Sequence, residues 1–235
     1  MPPKVSYRIF SAIAYKVLQF ELIGKFFLYI LSLENFFFKA FESISALYFI
    51  KSNPKISNST IGYNVAATGA GIYGETDHYS TDNYLRPRFT IKSTKAIGNT
   101  GDTTQSSINS QALFIESSQS ILENCLVVDN NVKSGIETSQ YTAIINSTFA
   151  NNGKTEGHDI RFSSSDSLVI MNSIIFGNGK SIDNGDTTLA SPGNIFIYNS
   201  ILEGGIAGIN QTIASGTWTI ASEYILNTDP NFGTK

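Results

Sequence analysis

The stretch SLVIMNSIIFGNG, residues 167–179, places Asn172 directly behind an apolar run and a second amide, Asn178, six positions later. Three other stretches share this arrangement: SILENCLVVDNN from residue 120, TAIINSTFANNG from residue 142 and IFIYNSILEGG from residue 195. The first amides of the four stretches are Asn124, Asn146, Asn172 and Asn199. Self-similarity at so regular a period indicates a stack of repeated structural units.

The residues around each first amide alternate in polarity, as the residues of a half-buried β-strand do. Two positions before it stand large aliphatic residues: Leu122, Ile144, Ile170 and Ile197. Three positions after it stand apolar residues: Val127, Phe149, Ile175 and Leu202. The next residue is always small: Cys125, Ser147, Ser173 and Ser200. A helical repeat would instead space its apolar residues by three and four. The three uniform columns therefore predict that equivalent residues of successive repeats stack on one another.

Stacked strands with one turn of chain per repeat define an all-β fold, the right-handed parallel β-helix. We predict that Asn124, Asn146, Asn172 and Asn199 adopt a left-handed conformation at a tight bend and form a structural ladder of hydrogen-bonded amides. Six positions further on stand residue types that tolerate positive φ, which predicts a second turn: Asn130, Asn152, Asn178 and Gly205.

Composition excludes several functional classes. One Cys and 19 Gly in 235 residues describe a turn-rich chain and not a disulfide scaffold. A net charge of −3 argues against a nucleic-acid partner, and only Arg86 and Arg88 form even a short basic pair. His78 and His158 are isolated from each other and from Cys125, so the spacing predicts no metal site and no resident cofactor.

Four segments resemble the bacterial surface and secreted proteins with right-handed parallel β-helix repeats, which are related to polymorphic outer-membrane-protein and pectate-lyase-like chains. The segments are GAGIYG from residue 69, GHDIRFSSSDSLVIMNSIIFGNG from residue 157, IFIYNSILEGG from residue 195 and NTDPNF from residue 227. Their order is more specific than any one of them, and the resemblance covers roughly residues 69–232. It implies an extracellular or outer-cell-surface location. The chain stops just after NTDPNF, without the closure that follows in the family, so we expect a fragment or a shortened member.

The first 52 residues differ in composition from the rest, which divides the chain into a hydrophobic segment, 1–52, and a β-helix domain, 53–235. The segment is rich in Phe and Leu, and we predict that it is helical. Its longest apolar run, near residues 26–33, is far shorter than the roughly 20 residues that span a bilayer, so no spanning helix is expected. Three interpretations stay open: a cap on the end of the β-helix, a degraded leader that includes an export signal, and an interfacial membrane helix.

A second strand precedes each amide turn, in LFIESSQ, GIETSQ and DIRFSS. Aligning Ile115, Ile136 and Ile160 as inward residues places three charged residues in one outward column: Glu116, Glu137 and Arg161. Tyr73 of GIYG extends this column. Stacked carboxylates repel each other unless a cation lies beside them, and Arg161 supplies that cation. The column is either an exposed salt-bridge ladder or a substrate-binding surface.

A second candidate binding surface is the irregular segment YGETDHYSTDNYLRPR, residues 73–88. Loops on a rigid scaffold often carry binding residues. Tyr79 and Tyr84 offer apolar ring faces to a sugar, and Asp82 and Arg86 offer hydrogen bonds to its hydroxyl groups. The alternative is a solvated insertion whose tyrosines pack against the stack.

These features predict an adhesion or polysaccharide-contact module, without catalysis, whose partner is a polysaccharide or a cell-surface glycan. The resemblance to pectate-lyase-like enzymes implies an alternative, a Ca²⁺-dependent polysaccharide lyase that uses outward carboxylates and an Arg on this sheet. A non-functional fragment of such an enzyme is the third hypothesis.

Overall fold

The computed structural model describes residues 45–50, 53–66, 68–75, 88–101, 110–116, 119–152, 158–164, 166–177, 181–184, 193–209 and 219–230. All of them lie in one compact unit of the chain, residues 32–235. The strands in chain order are β1 Leu47–Ile50, β2 Lys55–Ser57, β3 Thr60–Gly62, β4 Val65–Ala66, β5 Ile72–Glu75, β6 Arg88–Lys92, β7 Lys95–Ile97, β8 Thr100–Gly101, β9 Gln111–Glu116, β10 Gln119–Glu123, β11 Leu126–Val128, β12 Ser134–Thr138, β13 Tyr141–Ile145, β14 Thr148–Ala150, β15 His158–Phe162, β16 Ser167–Met171, β17 Ile174–Phe176, β18 Ile182–Asn184, β19 Asn194–Leu202 and β20 Thr219–Leu226, with a short 3-10 helix at Gly205–Gly208.

The strands form three faces of a parallel β-helix, which confirms the predicted fold class. The first face consists of β1, β5, β9, β12, β15 and β18 in that order. The second face consists of β2, β6, β10, β13, β16 and the first half of β19, and the third of β3, β7, β11, β14, β17 and the second half of β19. β20 pairs with β19 along both halves. We number the coils 1 to 7 by their second-face strands, from β2 to β20.

The core consists of aliphatic and aromatic columns that run along the helix axis. Leu122, Ile144, Ile170 and Ile197 are paired in register and fully buried, as the repeats predict. The column of Val127, Phe149, Ile175 and Leu202 is likewise buried. Burying such side chains is the main favourable term in folding, and here each coil covers the apolar residues of its neighbours.

Coils 1 to 6 each bend twice at residues in the left-handed conformation, and coil 7 has one such residue in its described part, Tyr224 with φ 55° at the first turn. The first-turn residues are Asn58, Ser93, Asn124, Asn146, Asn172 and Asn199, with φ between 49° and 54°. The second-turn residues follow five positions later: Tyr63, Gly98, Asp129, Asn151, Gly177 and Gly204. The predicted left-handed asparagines at the first turn are therefore confirmed. The second turn lies one residue earlier than predicted, because its left-handed residue precedes Asn130 and Asn152.

The amide ladder exists, but its members differ from those predicted. Asn64 Nδ2 donates to Asn99 Oδ1 at 2.9 Å, Asn99 Nδ2 to Asn130 Oδ1 at 2.8 Å, and Asn130 Nδ2 to Asn152 Oδ1 at 2.7 Å. Asn152 Nδ2 extends the ladder to Asp159 Oδ1. All these side chains are fully buried beside the second turn.

The asparagines predicted to form the ladder lie in file at the first turn, where they point into solvent. Asn124, Asn146, Asn172 and Asn199 are exposed, and no hydrogen bond joins their side chains in the described part of the chain. The physical reason is that a left-handed residue at an outer bend directs its side chain away from the core. The residue that follows the second bend points inward, where an amide needs partners.

A column of hydroxyl groups takes the place of an amide ladder at the first turn. Ser147 Oγ accepts the backbone N–H of Cys125, Ser173 Oγ that of Ser147, and Ser200 Oγ that of Ser173, at 3.0 to 3.1 Å. Each serine hydroxyl in turn donates to the carbonyl two residues before it. Cys125 occupies this column as a small buried residue, and burial raises the pKa of its thiol.

The N-terminal end of the described β-helix departs from the prediction made from the sequence. Leu47–Ile50 lies inside the segment 1–52 that was predicted as helical, yet it forms a strand parallel to β5. The rest of that segment, residues 1–44 and 51–52, lies outside the described residues, so its role as a cap or leader stays a prediction. Among the residues described, no helix is both long and apolar enough to cross a bilayer.

The last coil interrupts the apolar core columns. Ser222 of β20 pairs with Ile197 and so stands where the inner coils place Leu or Ile. Along its other edge, β20 pairs with no strand of the described chain. The column of Leu and Ile side chains is thus replaced by a polar residue at this coil.

Candidate functional site

One column of side chains runs along the outer surface of the first face. Pairing of neighbouring strands places its members at one level, one in each of the six first-face strands: Tyr48, Tyr73, Phe114, Glu137, Arg161 and Asp183. We call these six residues the outer column. Tyr73 extends the column as predicted, and Glu137 and Arg161 are neighbours in it.

The register corrects the place of Glu116. Ile136 pairs with Leu113 and not with Ile115, so Glu137 lies level with Phe114. Glu116 instead lies level with Glu75. β9 carries two buried apolar residues, Leu113 and Ile115, at alternate positions. A shift of two residues keeps the same side chains inward, so alternation alone could not choose between the two registers.

The first half of the outer column is a stack of three aromatic rings. The ring centroids of Tyr48 and Tyr73 are 4.8 Å apart, and those of Tyr73 and Phe114 are 5.0 Å apart, with interplanar angles of 14° and 21°. Both faces of the Tyr73 ring are therefore covered, and its edge and phenol point outward. The phenol donates to Glu75 Oε2 at 2.9 Å. Burial is the larger cause of the raised pKa of Tyr73, and the Glu75 carboxylate raises it further.

The second half of the outer column is a half-buried network of charges. Arg161 Nη1 donates to Glu137 Oε2 at 3.2 Å, with about one sixth of each side chain exposed (16% and 17%). Gln111 Nε2, from the start of β9, donates to the same carboxylate oxygen. One coil further on, His158 Nε2 lies 3.4 Å from Asp183 Oδ2. Side-chain contacts thus join Gln111, Glu137 and Arg161 across three coils, and His158 and Asp183 carry such contacts to a fourth.

Glu137 has a raised pKa although a guanidinium lies beside it. Burial raises the pKa of its carboxyl, and Arg161, Gln111 and Lys133 lower it by a smaller total. Loss of hydration penalises the charged form over the whole carboxyl group, whereas a single guanidinium contact compensates only part of that cost. The site therefore holds a carboxyl group that takes up a proton more readily than a solvated Glu does.

The residues of the first face do not fit a calcium ion. Calcium takes six to eight oxygen ligands. The Glu137 oxygen that faces its neighbours already accepts hydrogen bonds from Arg161 and Gln111, so a cation there would compete with a guanidinium. Within the described ranges, no group of three or more His, Cys, Asp or Glu residues is arranged to hold a metal.

The other predicted binding residues fall outside the described chain. Tyr79, Tyr84, Asp82 and Arg86 all lie in residues 76–87, so their role in binding stays a prediction.

The structure also adds members that the sequence reasoning missed. Asp183 follows an inward Ile just as Glu137 and Arg161 do, and this Ile-x pattern could have revealed it. Phe114 could be placed only with the correct register of β9, and the position of Gln111 depends on the same register.

Comparisons of the chain with protein-family models, with curated proteins and with solved structures found no match. The class of protein is therefore defined by its fold and by the outer column: a parallel β-helix with a ladder of stacked side chains on one outer face.

Proposed function

We propose that the protein is a contact module that binds a polysaccharide or cell-surface glycan along the outer column of its first face. The observation that supports this proposal is the straight column of six outward side chains, one from each strand of the first face. Neighbouring strands are about 4.8 Å apart, so the file extends over roughly 24 Å. An extended polymer that lies along this file meets a new side chain at every coil.

The two halves of the outer column offer different contacts to a sugar chain. Because the faces of the inner ring are covered by its neighbours, the aromatic half presents ring edges and the Tyr73 phenol. The charged half presents the donors of Arg161 and the acceptors of Glu137 and Asp183, which suit hydroxyl groups that both donate and accept. The parallel stack holds all six side chains in place before binding, which lowers the entropic cost of association.

A location outside the cell, on the surface of a bacterium or secreted from it, belongs to the same proposal. It is supported by the resemblance of the repeats to bacterial surface proteins and by a turn-rich composition with 19 Gly and one Cys. Glycans are the polymers that such a surface meets.

A glycan array probed with the full chain tests the proposal. We expect at least one polysaccharide to bind, and we expect Arg161→Ala to weaken its binding by about tenfold or more, as loss of a central contact does. Lys95→Ala, an exposed charge on the third face, serves as the matched control and should leave binding unchanged. Absence of any bound glycan, or equal binding by the Arg161 variant, would refute the proposal. Circular dichroism checks that both variants are folded.

A polysaccharide lyase is a second candidate, and the raised pKa of Glu137 beside Arg161 is the observation that favours it. A carboxyl group tuned in this way suits a general base that removes the proton next to a sugar carboxylate, while the glycosidic oxygen leaves and a double bond forms. Ultraviolet absorbance of unsaturated products from acidic glycans, with and without Ca²⁺, tests this candidate. Glu137→Gln should abolish the signal. If no absorbance develops with the wild-type protein, the lyase candidate is rejected and the contact module stands.

A further inference from the structure

The outer surface of the second face changes its chemistry along the helix axis. In coils 3 to 6 its outward residues include six that are apolar and partly exposed, and these define what we call the apolar strip: Ile121, Ile145, Val169, Met171, Phe196 and Tyr198. Polar outward residues border the strip on the same coils: Gln119, Glu123, Ser167 and Asn194. Met171 exposes 36% of its surface. The same outward columns carry Lys55, Thr90 and Lys92 in coils 1 and 2. The stack itself therefore does not require apolar residues at these positions.

Charges of opposite sign flank the apolar strip. Exposed Lys55, Arg88 and Lys92 lie at its coil 1–2 end, where Glu123 pairs with Lys92 at 2.6 Å and offsets one positive charge. At the coil 7 end the outward residue is Glu223, which is exposed. The face is thus basic at one end, apolar in the middle and acidic at the other end.

We propose that the second face is the interface of an antiparallel homodimer. A two-fold axis parallel to the strands lays coil 1 of one copy over coil 7 of the other. The Lys55 end of each copy then meets the Glu223 end of the other, and the apolar residues of coils 3 to 5 overlap in the middle. A two-fold interface must be complementary to itself, and the order of charges on this face meets that condition. Two parallel copies would bring like charges together.

The size of the face suits such a dimer. Seven coils at about 4.8 Å and strands of five residues at about 3.3 Å give an outline of roughly 34 Å by 16 Å. With the relief of its side chains, this outline approaches the roughly 800 Å² for each partner that a stable interface buries. Sheets pack face to face at about 10 Å, which brings the side chains of both strips into contact. The outer column on the first face stays accessible in this dimer.

Analytical ultracentrifugation of the full chain, from about 0.1 to 100 µM, tests the proposal. We expect a dimer that dissociates on dilution and that weakens as salt is added, because the charged ends contribute to it. Met171→Glu should raise the dissociation constant by about a hundredfold, since it places charges at the centre of the interface. Tyr63→Glu, an equally drastic change at a residue that is 60% exposed at the second turn, should leave dimerisation unchanged. Thermal unfolding checks that both variants are folded.

A charge exchange tests the antiparallel arrangement. Lys55→Glu and Glu223→Lys should each weaken the homodimer several-fold, and an equimolar mixture of the two variants should form heterodimers at wild-type concentrations. A chain that stays monomeric at about 100 µM, or self-association that survives Met171→Glu, would overturn the proposal. The second result would place the contact elsewhere in the chain, for example in residues 1–44.

Discussion

Two asparagines in neighbouring coils have different roles, because the side chain at the first bend points outward and the side chain after the second bend points inward. Asn146 is left-handed and exposed, and its value lies in the backbone conformation that it tolerates. Asn130 is fully buried, and its value lies in its hydrogen bonds: its Oδ1 accepts from Asn99, and its Nδ2 donates to Asn152 and to the Ala96 carbonyl.

Substitution of these two asparagines should separate the two roles. Asn130→Ala removes the acceptor of the Asn99 backbone and side-chain N–H groups and a donor to Asn152 Oδ1, all of them buried, and we expect a loss of about 3 kcal/mol in the free energy of unfolding. Asn146→Ala should cost only about 1 kcal/mol, the cost of placing alanine in the left-handed region. Asn146→Gly removes the same amide without that backbone cost and should be close to neutral. Urea denaturation measures all three, and equal losses at both sites would contradict the assignment.

The sequence could show that each coil needs two bend residues but could not show which amide is buried. Asn124 and Asn130 both follow apolar runs and both tolerate a turn, so composition treats them alike. Which amide is buried depends on the second bend, which lies one residue before the predicted position. A shift of one residue exchanges inward and outward side chains.

The raised pKa of Glu137 makes stability depend on pH. Because the folded state raises this pKa, protonation favours folding: its contribution is present below the unfolded pKa and is lost as pH rises through the folded pKa. Glu137→Gln keeps the neutral form at every pH. We therefore expect the variant to gain stability relative to the wild type as pH rises above the usual Glu pKa of about 4.3.

Urea denaturation at a series of pH values measures this difference. Glu123→Gln, which changes a partly exposed carboxylate that pairs with Lys92, is the matched control for the loss of one negative charge. A wild type that gains on the Glu137 variant as pH rises would show that Arg161 outweighs burial.

At the scale of the element, the first turn carries a column of hydrogen-bonded hydroxyl groups in which a cysteine takes one position. Cys125 stands among Ser147, Ser173 and Ser200, and its Sγ lies 3.5 Å from the Glu123 carbonyl, where a serine hydroxyl in the next coil lies 2.8 Å from the equivalent carbonyl. The backbone N–H of Thr94 donates to this sulfur, which is a weaker acceptor than oxygen.

Cys125→Ser should complete the file. The hydroxyl group accepts the Thr94 N–H and donates to the Glu123 carbonyl more strongly than a thiol does, so we expect stabilisation of up to about 1 kcal/mol. Cys125→Ala, which fills the position without an acceptor, should destabilise by a similar amount. Thermal and urea unfolding under reducing conditions compare the three proteins. If alanine and serine behaved alike, the hydroxyl file would have no energetic role.

Strand columns were predictable from the sequence wherever stacking demands like residues. Leu122, Ile144 and Ile170 were aligned correctly because an aliphatic residue in the core accepts only another such residue above and below it. The register of β9 was not predictable, because Leu113 and Ile115 are interchangeable as core residues. The same ambiguity placed Glu116 in the outer column at the position that Phe114 occupies.

At the scale of the whole molecule, each coil in the middle of the stack touches only its two neighbours, so stability is close to a sum over coils. The four repeats from Asn124 to Asn199 supply matching columns at each junction. One coil can therefore be removed without changing the kind of contact that its neighbours make.

Deletion of residues 125–146 removes one complete coil, joins Asn124 to Ser147 and keeps every column in phase. We expect a folded β-helix with an unfolding free energy lower by about 1 to 3 kcal/mol, in proportion to its length. Deletion of residues 125–145, one residue fewer, shifts the junction by one position and should prevent cooperative folding, because inward and outward side chains change places. Circular dichroism and urea unfolding compare the two, and equal behaviour would contradict additive stacking.

The constant separation of the two bends governs where the length of this chain can change. Five positions separate them in all six coils from Asn58 to Gly204. The path from the second bend to the next first bend varies instead: it is shortest between Asp129 and Asn146 and longest between Tyr63 and Ser93. A gene for such a protein can thus gain or lose codons between the strands of the long path, whereas a change within a strand shifts its register. An epitope tag or a fluorescent reporter can be inserted there, whereas the same tag between Asn172 and Gly177 would disrupt the fold.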